Sequence, residues 1–220
     1  MDIVLYLLVF IIPLMAQLNI SKTYNKYRNI ANKKGLCGQE VARKILDANG
    51  LDRVHIVEVR GSLSDHYDPK HKVVRLSTEV FHGESISALS VAAHECGHAI
   101  QDKEDYFWLR FRTLFVPIVN IITYSAYILF FVSIFLQLID LLPVAIVSVF
   151  VGLFFQLITL PVEFNASQRA LSKLNELNLV DSTEEDGASQ MLKSAAMTYV
   201  AAVLSSLLNL LRLLSYLDRD

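Results

Sequence analysis

His94, Glu95 and His98 are the residues whose types and spacing point most directly to chemistry. They belong to His94-Glu95-Cys96-Gly97-His98, an HExxH pattern, and the flanking Ser90-Val91-Ala92-Ala93 and Ala99-Ile100 read as helix rather than loop. Residues four apart project from one helix face with Cβ atoms about 5–6 Å apart, so two imidazoles can converge on one zinc ion. Zinc in such a site acidifies a water molecule and polarises a carbonyl. Glu95, one residue round the helix, is placed to take the proton and pass it to a leaving amine. The predicted chemistry is peptide-bond hydrolysis with Zn2+ as cofactor. Cys37 and Cys96 belong to no CxxC or repeated spacing, so they read as reduced packing residues rather than a disulfide or a thiolate cage.

A catalytic zinc takes three protein ligands and keeps one position open. No HxxGxxH extension follows His98, and Asp102, Glu104 and Asp105 lie too close along the chain to fold back. Asp140 falls on the opposite side of the membrane in the topology set out below. Glu163 is the strongest candidate, because it follows two long apolar runs that return the chain to its starting side. Small residues at Ala92, Ala93, Gly97 and Ala99 would let a second helix approach the metal helix closely.

The elements that must position these groups sit in a membrane-like composition. Of the 220 residues 53% are hydrophobic and 19% charged, and the mean hydropathy is +0.40, which is too apolar for an ordinary soluble domain. The net charge is -2, and no Lys/Arg run exceeds a pair such as Lys33-Lys34, which excludes an electrostatic footprint for nucleic acid. The expected fold is mainly α: a multi-helix integral membrane protein with a small β edge.

Residues 1–21 read as a transmembrane anchor, uncleaved because Asp2 precedes the apolar run and the basic residues follow it. Residues 22–113 hold most of the 20 Lys and Arg, so the positive-inside rule assigns them to the cytoplasm. Within them, residues 54–59 and 72–76 are strand candidates forming a two-stranded hairpin edge, and 85–101 is the metal helix, capped by Ser85. Residues 114–162 form a transmembrane hairpin turning at Ile139-Asp140. Residues 163–220 carry the third-ligand helix (164–181), a capping box at Ser182-Thr183-Glu184-Glu185, and a C-terminal segment, 195–217. That segment has a polar stripe, leaving open whether it spans the bilayer or lies against the bundle.

Taken together, Ala93-His94-Glu95-Cys96-Gly97-His98-Ala99-Ile100-Gln101, His66-Tyr67-Asp68-Pro69, Leu160-Pro161-Val162-Glu163-Phe164-Asn165-Ala166-Ser167 and Thr198-Tyr199-Val200-Ala201-Ala202 resemble the YugP-like bacterial membrane zinc metallopeptidases across nearly the whole chain. The resemblance extends more distantly to the HtpX and CAAX prenyl protease group, whose core is a gluzincin. It implies zinc on His94, His98 and Glu163, Glu95 as base, and a multi-pass protein of the bacterial plasma membrane with a cytoplasmic active site.

The implied partners are the lipid bilayer and a protein or peptide substrate that is itself membrane-associated; no oligomeric state follows. Ser167 stands where the wider group often has an aspartate that orients a ligand histidine, which makes Asp181 or Glu184 alternatives for that task. His66, Tyr67 and Tyr199 are candidate donors to the developing oxyanion, His66 and Tyr199 foremost. Two other readings compete: a site-2-type intramembrane protease, and a non-catalytic scaffold or chaperone stabilised by zinc.

Overall fold

The computed structural model describes residues 2–61, 64–136 and 141–217. In chain order the elements are α1 (Asp2–Arg28), α2 (Gly38–Ala48), β1 (His55–Val59), β2 (His66–Asp68), β3 (Val73–Ser77), α3 (Thr78–Phe81), α4 (Ile86–Lys103), α5 (Phe107–Leu136), α6 (Leu142–Glu176) and α7 (Ser182–Leu217). The protein is mainly α with one small sheet. The chain divides into two compact units, one of Met1–Gln17, Phe107–Pro161 and Thr198–Asp220, the other of Leu18–Tyr106 and Val162–Met197.

In the second unit, burial follows helical periodicity. Val41, Ala42, Ile45 and Leu46 of α2 are fully buried on one stripe and pack against α4, with Leu76, Leu89 and Leu174 in the same core. Both expected strands form, but they pair parallel, His55 opposite Val73 through Val59 opposite Ser77. The hairpin is made instead by β2, which runs antiparallel to β3 with Tyr67 opposite Val74, so the sheet order is β1-β3-β2. A two-residue turn chemistry explains β2: the Asp68 carboxylate accepts from the backbone N–H groups of Lys70 (3.0 Å) and His71 (3.1 Å), closing the chain around Pro69.

Two helices are longer than the sequence suggests. α6 passes through Pro161 without ending, since one missing backbone donor costs less than nucleating a new helix. α7 runs unbroken through 36 residues. Its capping box lies one residue earlier than expected: Asp181 accepts from the Thr183 and Glu184 N–H groups, while Glu184 accepts from the Asp181 N–H at 3.0 Å.

The first unit is apolar outward. Ile3, Leu114, Ile121 and Tyr124 are each 66–78% exposed, as lipid-facing side chains are. Inside it the Ser205 hydroxyl donates to the Val9 carbonyl (2.7 Å), and the Arg212 guanidinium lies 4.4 Å from the Tyr6 ring centre, pairing α7 with α1. Phe115 of α5 meets Phe154 of α6, their ring centres 5.4 Å apart. Among the described residues four helices, α1, α5, α6 and α7, are long and apolar enough to cross a membrane. The expected turn at Ile139-Asp140 lies outside the described residues.

Candidate metal centre

α4 begins where the sequence places it. The Ser85 hydroxyl accepts from the Ala88 N–H at 3.2 Å, and the small residues that follow let most of the helix be buried. His94 and His98, one turn apart, present their rings edge to face with centres 4.8 Å apart. Glu163 comes from α6, and the two helices meet at Gly97. A Cβ built there would lie 2.5 Å from the Ala166 carbonyl oxygen, so the glycine is required by the close approach that brings Glu163 to the histidines. Of the four small residues noted in the sequence, Gly97 carries this contact.

The ligand atoms of His94, His98 and Glu163 all lie within 4.8 Å of one another. His94 Nε2 is 3.2 Å and His98 Nε2 is 3.6 Å from the same carboxylate oxygen, Oε2 of Glu163. Metal–ligand bonds of about 2.0–2.1 Å at tetrahedral angles put neighbouring ligands about 3.3 Å apart, so these spacings fit the edges of a zinc polyhedron. Burial leaves Glu163 3% and His94 16% exposed, which puts the accessible side of the group at His94.

Hydrogen bonding settles which nitrogen the His98 ring offers. His98 Nδ1 lies 3.0 Å from Gln101 Oε1, whose amide nitrogen donates to the Val162 carbonyl (2.8 Å) and to Asn165 Oδ1 (3.0 Å). The amide is therefore oriented with its oxygen towards His98, Nδ1 must carry the proton, and Nε2 keeps its lone pair. A lone pair facing a buried carboxylate is repulsive unless a cation sits between them, so the donor set fits a metal ion. Burial disfavours a charged His98, but the neighbouring Glu163 carboxylate outweighs it and raises the ring's pKa above the ordinary value, so Nε2 is where a positive charge, proton or ion, is drawn. The site draws positive charge.

At His94, the Ser167 hydroxyl is 3.2 Å from Nδ1. Asp181 and Glu184 are engaged elsewhere, in the α7 capping box and with the Lys33 side chain and backbone N–H. The serine itself fills the position expected to need a substitute.

Glu95 is 7% exposed, and its Oε2 accepts the backbone N–H of Tyr67 at 2.9 Å, leaving Oε1 for a proton. The Tyr67 hydroxyl donates to Asp102 Oδ2 (2.7 Å), which also pairs with Lys72. Burial and the Asp102 carboxylate hold the Tyr67 phenol well above its usual pKa, so it stays a donor committed to Asp102. His66 lies on the exposed face of β2 with Nδ1 2.8 Å from the Ser64 carbonyl, so its Nε2 donates only when the ring is protonated. Tyr199 lies on α7 in the other unit. Glu104 pairs with Arg169 at 2.7 Å.

Gln101 and the Tyr67 N–H are the contacts that sequence reasoning passed over. A signal for the first was available: a glutamine three residues beyond a ligand histidine, on the same face of an apolar helix, needs buried partners.

Comparison with known proteins gives a consistent result. The family described as "Putative neutral zinc metallopeptidase" matches residues 2–218. The chain is 46% identical over 197 residues to "Putative membrane protease YugP" of Bacillus subtilis (strain 168), an alignment covering 90% of this chain and 88% of that protein. No solved structure matches.

Proposed function

The chain belongs to this family of zinc metallopeptidases, and from that premise we propose that it is a multi-pass bacterial plasma-membrane endopeptidase hydrolysing membrane-associated or unfolded proteins at the cytoplasmic face. The observation that carries the reading is the convergence of His94, His98 and Glu163 from two helices. In this reading residues 1–21 anchor the chain, 22–113 hold the metal helix, 114–162 form the hairpin, and 163–220 supply the third ligand. The concentration of Lys and Arg in the polar stretch supports the cytoplasmic assignment.

His94 Nε2, His98 Nε2 and Glu163 Oε2 would hold the ion, which when bound supplies an acidified water and a polarised scissile carbonyl. Glu95 accepts the water proton on Oε1, while the Tyr67 N–H fixes Oε2 and so sets which oxygen faces the reaction. The same carboxyl then delivers the proton to the departing amine. His66, next to the Tyr67 whose N–H holds Glu95, is the donor proposed for the oxyanion. Three protein ligands are the number a catalytic zinc takes, whereas a structural zinc is closed by four, which favours the enzyme over a scaffold. α4 is not among the four helices suited to cross a membrane, which favours a site outside the bilayer over an intramembrane protease.

The decisive variant is Glu95→Gln. Proteolysis of an unfolded model protein by the purified chain should fall by about 10²-fold or more, with bound zinc unchanged. A Glu95→Gln protein that cleaves as fast as wild type defeats the mechanism.

A further inference from the structure

We propose that Gln101 is the positioning residue that builds the metal site before the metal arrives, by tying a ligand on one helix to the turn that carries a ligand on the other. This rests on the assignment of His94, His98 and Glu163 as the ligands, and it goes beyond that assignment by naming what determines their affinity for zinc.

Gln101 is completely buried, and a buried primary amide must find partners for its oxygen and both hydrogens. It finds all three. Oε1 takes the Nδ1 proton of His98, and Nε2 donates to the Val162 carbonyl and to Asn165 Oδ1. Val162 immediately precedes Glu163 in α6, so one planar group spans from a ligand ring on α4 to the peptide next to a ligand carboxylate on α6.

The arrangement cannot be inverted. Turning the amide over would set its oxygen against two acceptors, Val162 O and Asn165 Oδ1, and its NH2 against a ring nitrogen that would have to shed its proton. Asn165 is itself held, since its Oδ1 also accepts from Arg169 Nε at 2.7 Å, and Arg169 pairs with Glu104 at the end of α4. The clamp therefore closes on both sides of the helix pair.

Two consequences follow. The tautomer of His98 is fixed with Nε2 unprotonated, and the α6 turn is held at the separation from α4 that Gly97 permits. Both are entropic and conformational costs met at folding, so they do not have to be met when zinc binds. Ser167 gives His94 no comparable link, because a hydroxyl rotates and accepts either tautomer.

The test replaces Gln101 by Met in the full chain, which keeps length and helix propensity and removes all three hydrogen bonds. Zinc affinity is read by competition with a chromogenic chelator, ligand geometry by the visible spectrum of the cobalt-substituted protein, and folding by circular dichroism and thermal unfolding in the same detergent. The expected result is a fall in zinc affinity of about 10–100-fold and an altered cobalt spectrum, with helix content unchanged. Asn165→Ala, which removes one acceptor and leaves Val162, should give a smaller loss in the same direction.

Gln101→Met with wild-type affinity and an unchanged cobalt spectrum overturns the inference. If that variant does not fold, Asn165→Ala decides, and unchanged affinity and spectrum there overturn it equally. His94→Ala separates this from failure of the underlying assignment: if wild type and His94→Ala bind zinc alike, the ligand set is wrong and the inference falls with it.

Discussion

The two units place polarity in opposite ways. In the unit formed by Leu18–Tyr106 and Val162–Met197, the polar groups at its centre are buried and cross-linked: Glu95 to Tyr67 N–H, His98 to Gln101, Gln101 to α6, His94 to Ser167. In the apolar unit large hydrophobic side chains face outward; among the described residues each unit also holds buried side-chain atoms without a hydrogen-bond partner, Arg43 Nε in the former and Gln156 Oε1 and Arg212 Nε in the latter. A bilayer supplies what the outward residues need, whereas the metal site has to supply its own order. Substitutions that disturb close helix contact should therefore matter in one unit and be absorbed in the other.

The largest effect belongs to the ligands themselves. Glu163→Ala removes the carboxylate that both rings approach, and zinc measured by atomic spectroscopy should drop from one per chain to near zero, with proteolysis lost. Retained stoichiometric zinc would show that the three groups do not form one site.

A paired glycine experiment sharpens the contrast between units. Gly97→Ala forces a methyl group to within 2.5 Å of the Ala166 carbonyl, an overpacking worth about 1–3 kcal/mol. For a chain of this size that lowers the melting temperature by roughly 2–4 °C per kcal/mol. Zinc affinity should fall as well, because Ala166 lies in the next turn after Glu163. Gly152→Ala in the apolar unit meets nothing within 4 Å and should be neutral or stabilising by about 0.4–1 kcal/mol. Equal destabilisation by the two would dissolve the comparison.

What the sequence made legible follows the same division. HExxH on a Ser85-capped helix, the long apolar segments and Glu163 beside the two histidines follow from local period, composition and chain order, and the structure contains the capped helix, the apolar helices and the cluster. The parallel pairing of β1 with β3 was not legible, since it depends on β2 being paired on the far side of β3, a non-local choice. Nor was the α7 cap at Asp181, because an aspartate one residue before the expected serine is an equally good N-cap and composition does not choose between them. The place of Gln101 three residues beyond His98 signals a buried amide, but its partners Val162 and Asn165 follow only once α6 lies beside α4.

A smaller effect is expected at Tyr67. Tyr67→Phe deletes the donor to Asp102 and leaves Lys72 as that carboxylate's partner, costing about 0.5–1.5 kcal/mol of stability. Its backbone N–H still reaches Glu95, so kcat should fall modestly and KM little. Loss of activity as large as in Glu95→Gln would mean that the hydroxyl, not the N–H, serves the reaction.

The smallest effect separates the buried carboxylates of the site from a solvated one two residues along β2 from His66. The His71 ring, together with the His71 and Lys70 backbone N–H groups, holds Asp68 down at about 2, below the roughly 3.9 of an unfolded chain. A depressed folded-state pKa contributes stability that is present above the unfolded value and disappears as the pH falls through the folded one. Asp68→Asn keeps an acceptor for the turn and removes the charge, so the two proteins should differ slightly in melting temperature at pH 6 and converge between about pH 4 and 2. Zinc bound at neutral pH should be the same in both. A gap that widens on acidification would reverse the sign and show that the turn gains nothing from the ionised carboxylate, whereas a loss of zinc in Asp68→Asn would show that β2 governs the metal as well as the base.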